Sequence, residues 1–175
     1  MIILYKGARG CGKTLTMVKD GFAFMENGFR ILRNFECSFG EYISNEEILE
    51  LDKESNLKNA VLMIDEIQIF FDSRRGMYKH NINFSNFVQQ IRKRNILILC
   101  TTQYSNTIDL RLRQHLDILA YPKYFKKYDV CSVTYIDLTT FEDDLFNTHI
   151  EPKRVSLVFD CKPIYKMYKT DEMII

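Results

Sequence analysis

The eight residues from Gly7 to Thr14 have the types and spacing of a phosphate-binding loop, because Gly-Ala-Arg-Gly-Cys-Gly-Lys-Thr fits the pattern G-x-x-x-x-G-K-[ST]. Glycines lack a Cβ atom, so the backbone of such a loop can curve and turn successive N–H groups toward phosphate oxygens. The N-terminus of the following helix adds a partial positive charge. We predict that a nucleotide phosphate binds to the whole loop: Gly7, Ala8, Arg9, Gly10, Cys11, Gly12, Lys13 and Thr14.

The neighbouring sequence supports this interpretation of the loop. Ile2 to Tyr5 form an apolar run directly before it, and helical periodicity begins at Lys13. The loop therefore lies between a predicted strand and a predicted helix, as the motif requires. In such loops the lysine reaches the β- and γ-phosphates and the last hydroxyl binds Mg²⁺. The predicted cofactors are ATP and Mg²⁺, with Lys13 as a catalytic residue and Thr14 as a metal ligand.

Two acidic residues end a second apolar run. Ala60 to Ile64 are apolar throughout, which is typical of a strand covered on both faces of a parallel sheet, and Asp65 and Glu66 follow at once. Carboxylates at this end of a strand lie in the crevice where α/β sheets bind ligands. We predict that Asp65 binds Mg²⁺, directly or through water, and that Glu66 polarises the attacking water. The alternative is an acidic strand end that faces solvent.

A third apolar run ends in a polar amide. Ile96 to Cys100 read as a buried strand, and Thr101, Thr102 and Gln103 follow it. Parallel strands bring their carboxyl ends to the same edge of a sheet, so Gln103 is expected near Asp65 and Glu66. We predict that Gln103 senses the γ-phosphate. The alternative for Gln103 is an ordinary turn residue.

Arg92 and Arg94 follow a predicted amphipathic helix. Its apolar residues recur at positions i, i+3, i+4 and i+7: Phe84, Phe87, Val88 and Ile91. One interpretation of the arginines is a cap, since cations stabilise the C-terminal end of a helix dipole. The other is catalytic, because an arginine finger can stabilise the transition-state charge at a neighbouring subunit's nucleotide. Arg111 and Arg113 are the second choice for this finger.

The stretch from Tyr121 to Tyr128 interleaves three lysines with aromatic residues. This composition is compatible with contacts to a phosphate backbone and stacking on bases. An exposed turn with a small aromatic cluster is the alternative. The net charge is only +1, from 24 Lys and Arg against 23 Asp and Glu, so any contact with DNA must come from such local patches.

The elements that position these residues predict an α/β fold. An apolar stripe at Leu15, Val18, Phe22 and Met25 predicts a helix after the loop, and strands are expected at 29–35 and 116–121, with a short helix at 45–51. Alternating residues at 130–138 and 155–160 predict antiparallel strands. The expected architecture is a mostly parallel sheet flanked by helices, with an antiparallel C-terminal extension, in a single domain over residues 1–175.

Composition restricts the compartment. The chain has 175 residues and five cysteines without a C-x-x-C pair or metal-binding spacing, which favours a reducing compartment. It opens on a predicted strand without the features of a signal peptide. No apolar run approaches the roughly 18 residues that a membrane span needs. We expect a cytoplasmic protein, in the host cytoplasm if the source is viral, and association with a virion is a further expectation.

Together these motifs resemble the HerA/FtsK superfamily, in the additional-strand catalytic-glutamate division of P-loop NTPases, and within it viral genome-packaging ATPases and Zot-like phage proteins. The resemblance covers most of the ATPase core. Its residues are the Gly7–Thr14 loop, Ile64 to Gln68 with Phe70, Phe71 and Arg74, the Arg94-Asn95-Ile96 start of the strand that leads to Thr102-Gln103, and Tyr168 to Glu172, which is similar to a Tyr-Asp-Thr-x-Glu stretch in these proteins.

The resemblance implies a RecA-like sheet, a ring of five or six subunits and ATP-driven movement of double-stranded DNA, with a capsid or vertex protein as a further partner. Filamentous-phage Zot-like proteins carry a membrane span after the ATPase domain and cellular HerA proteins carry a β-barrel, and this sequence shows neither. The resemblance therefore favours a double-stranded DNA translocase that packages a viral genome. The alternatives are a Zot-like phage assembly ATPase, a nucleotide-dependent regulator and a small-molecule kinase.

Overall fold

An eight-stranded sheet forms the centre of the structure, a computed structural model that describes residues 1–53, 56–71, 87–103, 110–139 and 152–168. Its strands are β1 (Ile2–Lys6), β2 (Arg30–Arg33), β3 (Glu41–Tyr42), β4 (Ala60–Ile64), β5 (Ile96–Thr102), β6 (Ile118–Phe125), β7 (Val130–Asp137) and β8 (Arg154–Asp160), in the spatial order β3-β2-β4-β5-β1-β6-β7-β8. The helices are α1 (Lys13–Glu26), α2 (Asn45–Glu50), α3 (Leu110–Gln114) and α4 (Lys162–Tyr165), with 3₁₀ turns at Leu51–Lys53 and Ile67–Phe71 and a helical stretch at 87–90.

The parallel part of the sheet confirms the predicted fold. All strand pairings in the spatial series β3-β2-β4-β5-β1-β6 are parallel. Within it β5 lies between β1 and β4 as the additional strand. Every residue of β4 and β5 is buried, because helices cover both faces of these strands. The register sets Lys6 beside Thr102 and Ile64 beside Cys100. The carboxyl ends of β1, β4 and β5 therefore meet at one edge of the sheet.

Helices on the two faces of the sheet hold this edge in place. On one face α1 buries Leu15, Met17 and Val18 in an apolar cluster with β1, β4 and β5. On the other face α2 and the buried residues Phe87, Val88 and Ile91 close a second cluster. These contacts confirm the predicted amphipathic helices at the residues that the structure describes. Phe84, Arg74 and the stretch 169–172 lie outside the described residues.

The C-terminal extension is antiparallel, as predicted, but β6 is longer than the sequence indicated. Only the Ile118–Ala120 part of β6 pairs with β1, whereas all eight residues from Ile118 to Phe125 pair with β7. The prediction that the strand ends at Tyr121 was wrong, because β7 supplies a partner beyond the end of β1. The β6–β7 hairpin thus extends past the edge where the phosphate-binding loop lies. None of the helices in the described ranges has the length and apolar character that a membrane span requires.

Candidate functional site

The loop between β1 and α1 has two positions, Gly7 and Gly12, where a side chain would be strained or crowded. A Cβ atom on Gly7 would lie 2.5 Å from the Cys11 sulfur, so a larger residue at position 7 would displace the Cys11 side chain. Gly12 has a φ of +92°, which side chains other than glycine rarely adopt. The Gly7 amide also donates to the Thr102 carbonyl, 3.4 Å away. The glycines therefore allow the curved backbone that the motif predicts, and a hydrogen bond from Gly7 attaches the loop to the end of β5.

The N-terminus of α1 is open to an anion. Gly12 caps the helix without a side chain, and among the described residues no side chain caps it or places an acid in its first turn. The amides of that first turn are consequently left to an incoming ligand, and the helix dipole favours a negative one. Burial raises the pKa of the Cys11 thiol in the loop. The thiol is therefore neutral at pH 7 and adds no negative charge beside a phosphate.

Lys13 lies inside the loop. Its side chain is buried, and Nζ donates to the Ala8 carbonyl at 2.9 Å. The ammonium group therefore reaches back across the loop to Ala8, where its charge can act on a phosphate that the loop amides hold. Ala8 itself is exposed, as are Arg9 and Gly10.

The two predicted metal ligands are in contact. Thr14 Oγ1 donates to Asp65 Oδ1 at 3.1 Å, and Thr101 Oγ1 donates to the same oxygen at 2.5 Å. Mg²⁺ binds hard oxygen ligands and usually combines one or two protein oxygens with water and substrate phosphate. Among the described residues, no group of three or more His, Cys, Asp and Glu side chains could form an all-protein cage. The pair of Thr14 and Asp65 therefore fits a Mg²⁺ ion that arrives with a nucleotide.

Asn34 positions Asp65, a role that the sequence did not indicate. Its Oδ1 accepts from the Asp65 amide at 2.8 Å, and its Nδ2 donates to the Asp65 carbonyl at 3.3 Å and to Asn45 Oδ1 at 3.1 Å. These bonds fix the backbone at the point where β4 ends. Asn34 directly follows β2, the parallel neighbour of β4, so a search for polar residues after each strand could have found it.

Glu66 and Gln103 are brought together as predicted neighbours. Gln103 Nε2 donates to Glu66 Oε1 at 3.0 Å, which leaves the second carboxylate oxygen of Glu66 for a water molecule. Glu66 has a φ of +56°, a left-handed conformation that costs energy for a residue with a Cβ. The Thr101 hydroxyl accepts from the Glu66 amide at 2.9 Å and stabilises this conformation.

Arg92 and Arg94 lie where β5 begins, at the end of the strands opposite to Asp65, Glu66 and Gln103. Both precede β5, whose seven residues separate them from Gln103 by about 20 Å at the usual rise of a strand. Arg92 Nη2 contacts Asp117 Oδ1 at 2.9 Å, and Arg94 Nη2 donates to Gln90 Oε1 at 2.6 Å. Both arginines thus have partners in their own chain and are distant from their own loop. Their role as fingers for another subunit stays a prediction.

The β6–β7 hairpin packs directly against the loop. A Cβ atom on Gly12 would lie 3.1 Å from the Cys131 sulfur and 3.5 Å from Tyr124 Cβ. The hydroxyl of Tyr135 in β7 donates to Asp20 of α1 at 2.7 Å. The hairpin and the loop helix therefore form one unit.

The outer part of this hairpin, residues 121–128, is here called the hairpin ridge. It exposes three lysines and three rings: Lys123, Lys126, Lys127, Tyr121, Phe125 and Tyr128. The Nζ atoms of Lys123 and Lys127 lie 5.2 and 5.4 Å from the ring centres of Phe125 and Tyr128. The ridge thus presents cations and aromatic faces to solvent beside the loop between β1 and α1.

Comparisons with known proteins bear on the family and the fold of this chain. The profile of the family described as "Zonular occludens toxin (Zot)" matches residues 1–172. The N-terminal domain of zonular occludens toxin from Neisseria meningitidis has a similar fold, with a TM-score of 0.67, 20% sequence identity and coverage of 96% of this chain and 98% of that chain. None of the curated protein sequences matches this chain.

Two further solved structures share the fold at lower identity. The genome packaging NTPase B204 from Sulfolobus turreted icosahedral virus 2, in complex with ATP-gammaS, has a TM-score of 0.61 and 12% identity and covers 79% of this chain and 92% of that chain. The ATPase domain of G40P has a TM-score of 0.57 and 11% identity and covers 97% and 84%. These likenesses concern the fold, and they agree with the predicted RecA-like α/β class. Because the family profile spans nearly the whole sequence, the chain belongs to the Zot family of P-loop ATPases.

Proposed function

We propose that this chain is a Mg²⁺-dependent ATPase that drives phage assembly by moving DNA. The observation that carries the proposal is the convergence of four groups at one sheet edge: the open loop with Lys13, the Thr14–Asp65 pair, Glu66 and Gln103. The sequence alone favoured genome packaging. The match to the Zot family favours phage assembly instead. The packaging NTPase is only a 12% identical neighbour that covers 79% of this chain.

Each residue then has a task in hydrolysis. The loop amides and Lys13 would hold the phosphates, and Thr14 and Asp65 would hold Mg²⁺, which would offset part of the phosphate charge. Glu66 orients and polarises the attacking water with the carboxylate oxygen that Gln103 leaves free. Because Gln103 contacts Glu66 and follows β5, which anchors the loop, it is suited to report the state of the γ-phosphate to the rest of the sheet.

The hairpin ridge is the proposed DNA contact. Its lysines can neutralise backbone phosphates, and its exposed rings can stack on unpaired bases. Because unpaired bases are available only in single strands, single-stranded DNA is the first candidate for the partner. Double-stranded DNA, which the resemblance to packaging ATPases implies, is the second. A ring of five or six subunits would bring several ridges to one DNA molecule.

The test is the rate of ATP hydrolysis with no DNA, with single-stranded DNA and with double-stranded DNA. We expect DNA to raise the rate, and substitution of Lys126 and Lys127 by alanine to abolish the increase while leaving the basal rate. Lys166→Ala, an exposed lysine outside the ridge, is the control. A rate that no DNA changes would favour a nucleotide-dependent regulator, and phosphate transfer to a small acceptor would favour a kinase.

A further inference from the structure

The last strand of the described sheet, β8, has no described strand along its outer edge. The strand order ends at β8, and within the described ranges no strand pairs with its outer side. The Asp137 amide donates to the Lys153 carbonyl at 3.0 Å, and the Cys161 amide donates to the Asp129 carbonyl at 2.8 Å. Because such pairs alternate along an antiparallel strand, odd-numbered residues of β8 direct their backbone groups toward β7. Even-numbered residues direct theirs outward: Arg154, Ser156, Val158 and Asp160.

Apolar side chains are exposed on both faces of this strand. Val155 and Leu157 on one face are 44% and 45% exposed, and Val158 on the other is 69% exposed. Natural proteins usually protect an open edge with proline, a bulge or a charge within the strand. Between its terminal residues β8 has no proline and no charge, and its ladder with β7 runs without a bulge. The edge is therefore suited to pairing with another strand.

The charges at its two ends identify the partner. Arg154 and Asp160 are both exposed, and neither forms an ion pair with another described residue. They are equally distant in sequence from Leu157. An antiparallel copy of β8 related by a two-fold axis at Leu157 therefore sets each Arg154 opposite the other copy's Asp160. The strand is complementary to itself.

Hydrogen bonding and packing agree with this register. It pairs Arg154 with Asp160 and Ser156 with Val158, so the outward N–H and C=O groups of one strand meet those of the other. Leu157 then faces its own counterpart in a non-hydrogen-bonded pair, where side chains approach most closely. No like charges are opposed.

We propose that β8 pairs with β8 of a second copy of this chain, antiparallel and centred on Leu157, so that one sheet continues across the dimer. Such a two-fold contact uses the same surface on both copies. It is therefore different from the head-to-tail contacts of a ring.

A charge exchange tests the partner. In Arg154→Asp the pairing opposes acids at both ends, and in Asp160→Arg it opposes arginines, so each variant alone should dimerise roughly tenfold more weakly in sedimentation equilibrium. Mixing the two restores opposite charges at both ends, and heterodimers should form with about the affinity of the unchanged chain. Lys166→Asp, an equal charge change outside β8, should leave dimerisation unaltered. An unchanged chain that stays monomeric at about 100 μM, near the weak end of specific association, or a mixture that forms no heterodimer, would overturn the proposal.

Cysteine cross-linking tests the register. Leu157→Cys sets two thiols opposite each other, whereas in Val158→Cys each thiol faces Ser156 of the other copy and lies about 7–8 Å from its counterpart. Under a mild thiol oxidant, Leu157→Cys should form covalent dimers well above the level of the unchanged chain, and Val158→Cys should not. Val158 is the more exposed residue, so random collisions would give the reverse order. Equal or faster cross-linking of Val158→Cys would reject the register.

Discussion

Replacing Asn34 by alanine should lower the affinity for Mg²⁺ while leaving the phosphate-binding loop able to bind a nucleotide. The change removes the acceptor of the Asp65 amide at 2.8 Å and the donor to the Asp65 carbonyl at 3.3 Å. A partly buried amide that loses its acceptor costs roughly 1–3 kcal/mol. The backbone that carries the predicted metal ligand can then relax away from Thr14.

The expected size of the effect follows from that loss. Residues that orient a metal ligand typically contribute 10- to 100-fold to metal affinity, which corresponds to about 1.4–2.8 kcal/mol, the same range as the lost hydrogen bonds. The Mg²⁺ concentration for half-maximal ATP hydrolysis should therefore rise by about 10- to 100-fold. Excess Mg²⁺ should restore much of the rate, because the ligand itself remains.

The assay is phosphate release at saturating ATP over a Mg²⁺ titration, with nucleotide binding measured separately in EDTA. Asn45→Ala is the matched control, because it removes only the third bond of Asn34, at 3.1 Å, and leaves both bonds to Asp65. It should shift the titration little. If Asn34→Ala and Asn45→Ala gave the same Mg²⁺ dependence as the unchanged chain, Asn34 would have no positioning role.

Three further predictions concern the nucleotide, the DNA and the neighbouring subunit. Lys13→Ala should abolish tight ATP binding, measured by calorimetry, whereas Glu66→Gln should bind ATP and lose hydrolysis; near-normal turnover of Glu66→Gln would remove the catalytic role from Glu66. DNA affinity should fall with salt at a log–log slope of about 0.9 per phosphate neutralised, and alanine at Lys126 or Lys127 should lower the slope by about one unit each; a salt-independent affinity would exclude a backbone contact. A finger in trans contributes roughly 10³ to 10⁵ in rate, so ATPase per subunit should rise with protein concentration, and a mixture of Arg94→Ala with Lys13→Ala subunits should regain activity. No rescue, together with concentration-independent ATPase, would leave Arg94 with its observed contact to Gln90.

The strands that carry the site could be predicted because their chemistry is local. β1, β4 and β5 are continuous apolar runs that end at polar residues. A parallel sheet brings such ends together regardless of the conformation of the connecting loops. That geometry is sufficient to place Asp65, Glu66 and Gln103 beside the loop, and the contacts among Thr14, Asp65, Glu66 and Gln103 follow from it.

What the sequence missed depends on contacts between distant segments. Asn34 has no motif of its own, and its partner is the backbone of Asp65, 31 positions away. The outer half of β6 is polar and aromatic, and it becomes a strand because β7 returns beside it. The sequence indicated a helix cap or an arginine finger for Arg92, but not its contact with Asp117, which also accepts from the Ile2 amide at 2.6 Å. Only the folded chain brings these groups together.

The hydroxyl of Thr101 gives the site a fixed direction of hydrogen bonding. The Glu66 amide can only donate, so the Thr101 oxygen accepts there, and its single proton is left for Asp65. One side chain on β5 therefore links the backbone of Glu66 to the carboxylate of Asp65 in a defined order. Position 101 can exchange threonine for serine and keep this order. Valine has the same shape but would leave the amide unpaired, so a hydroxyl is the feature that variation at this position must preserve.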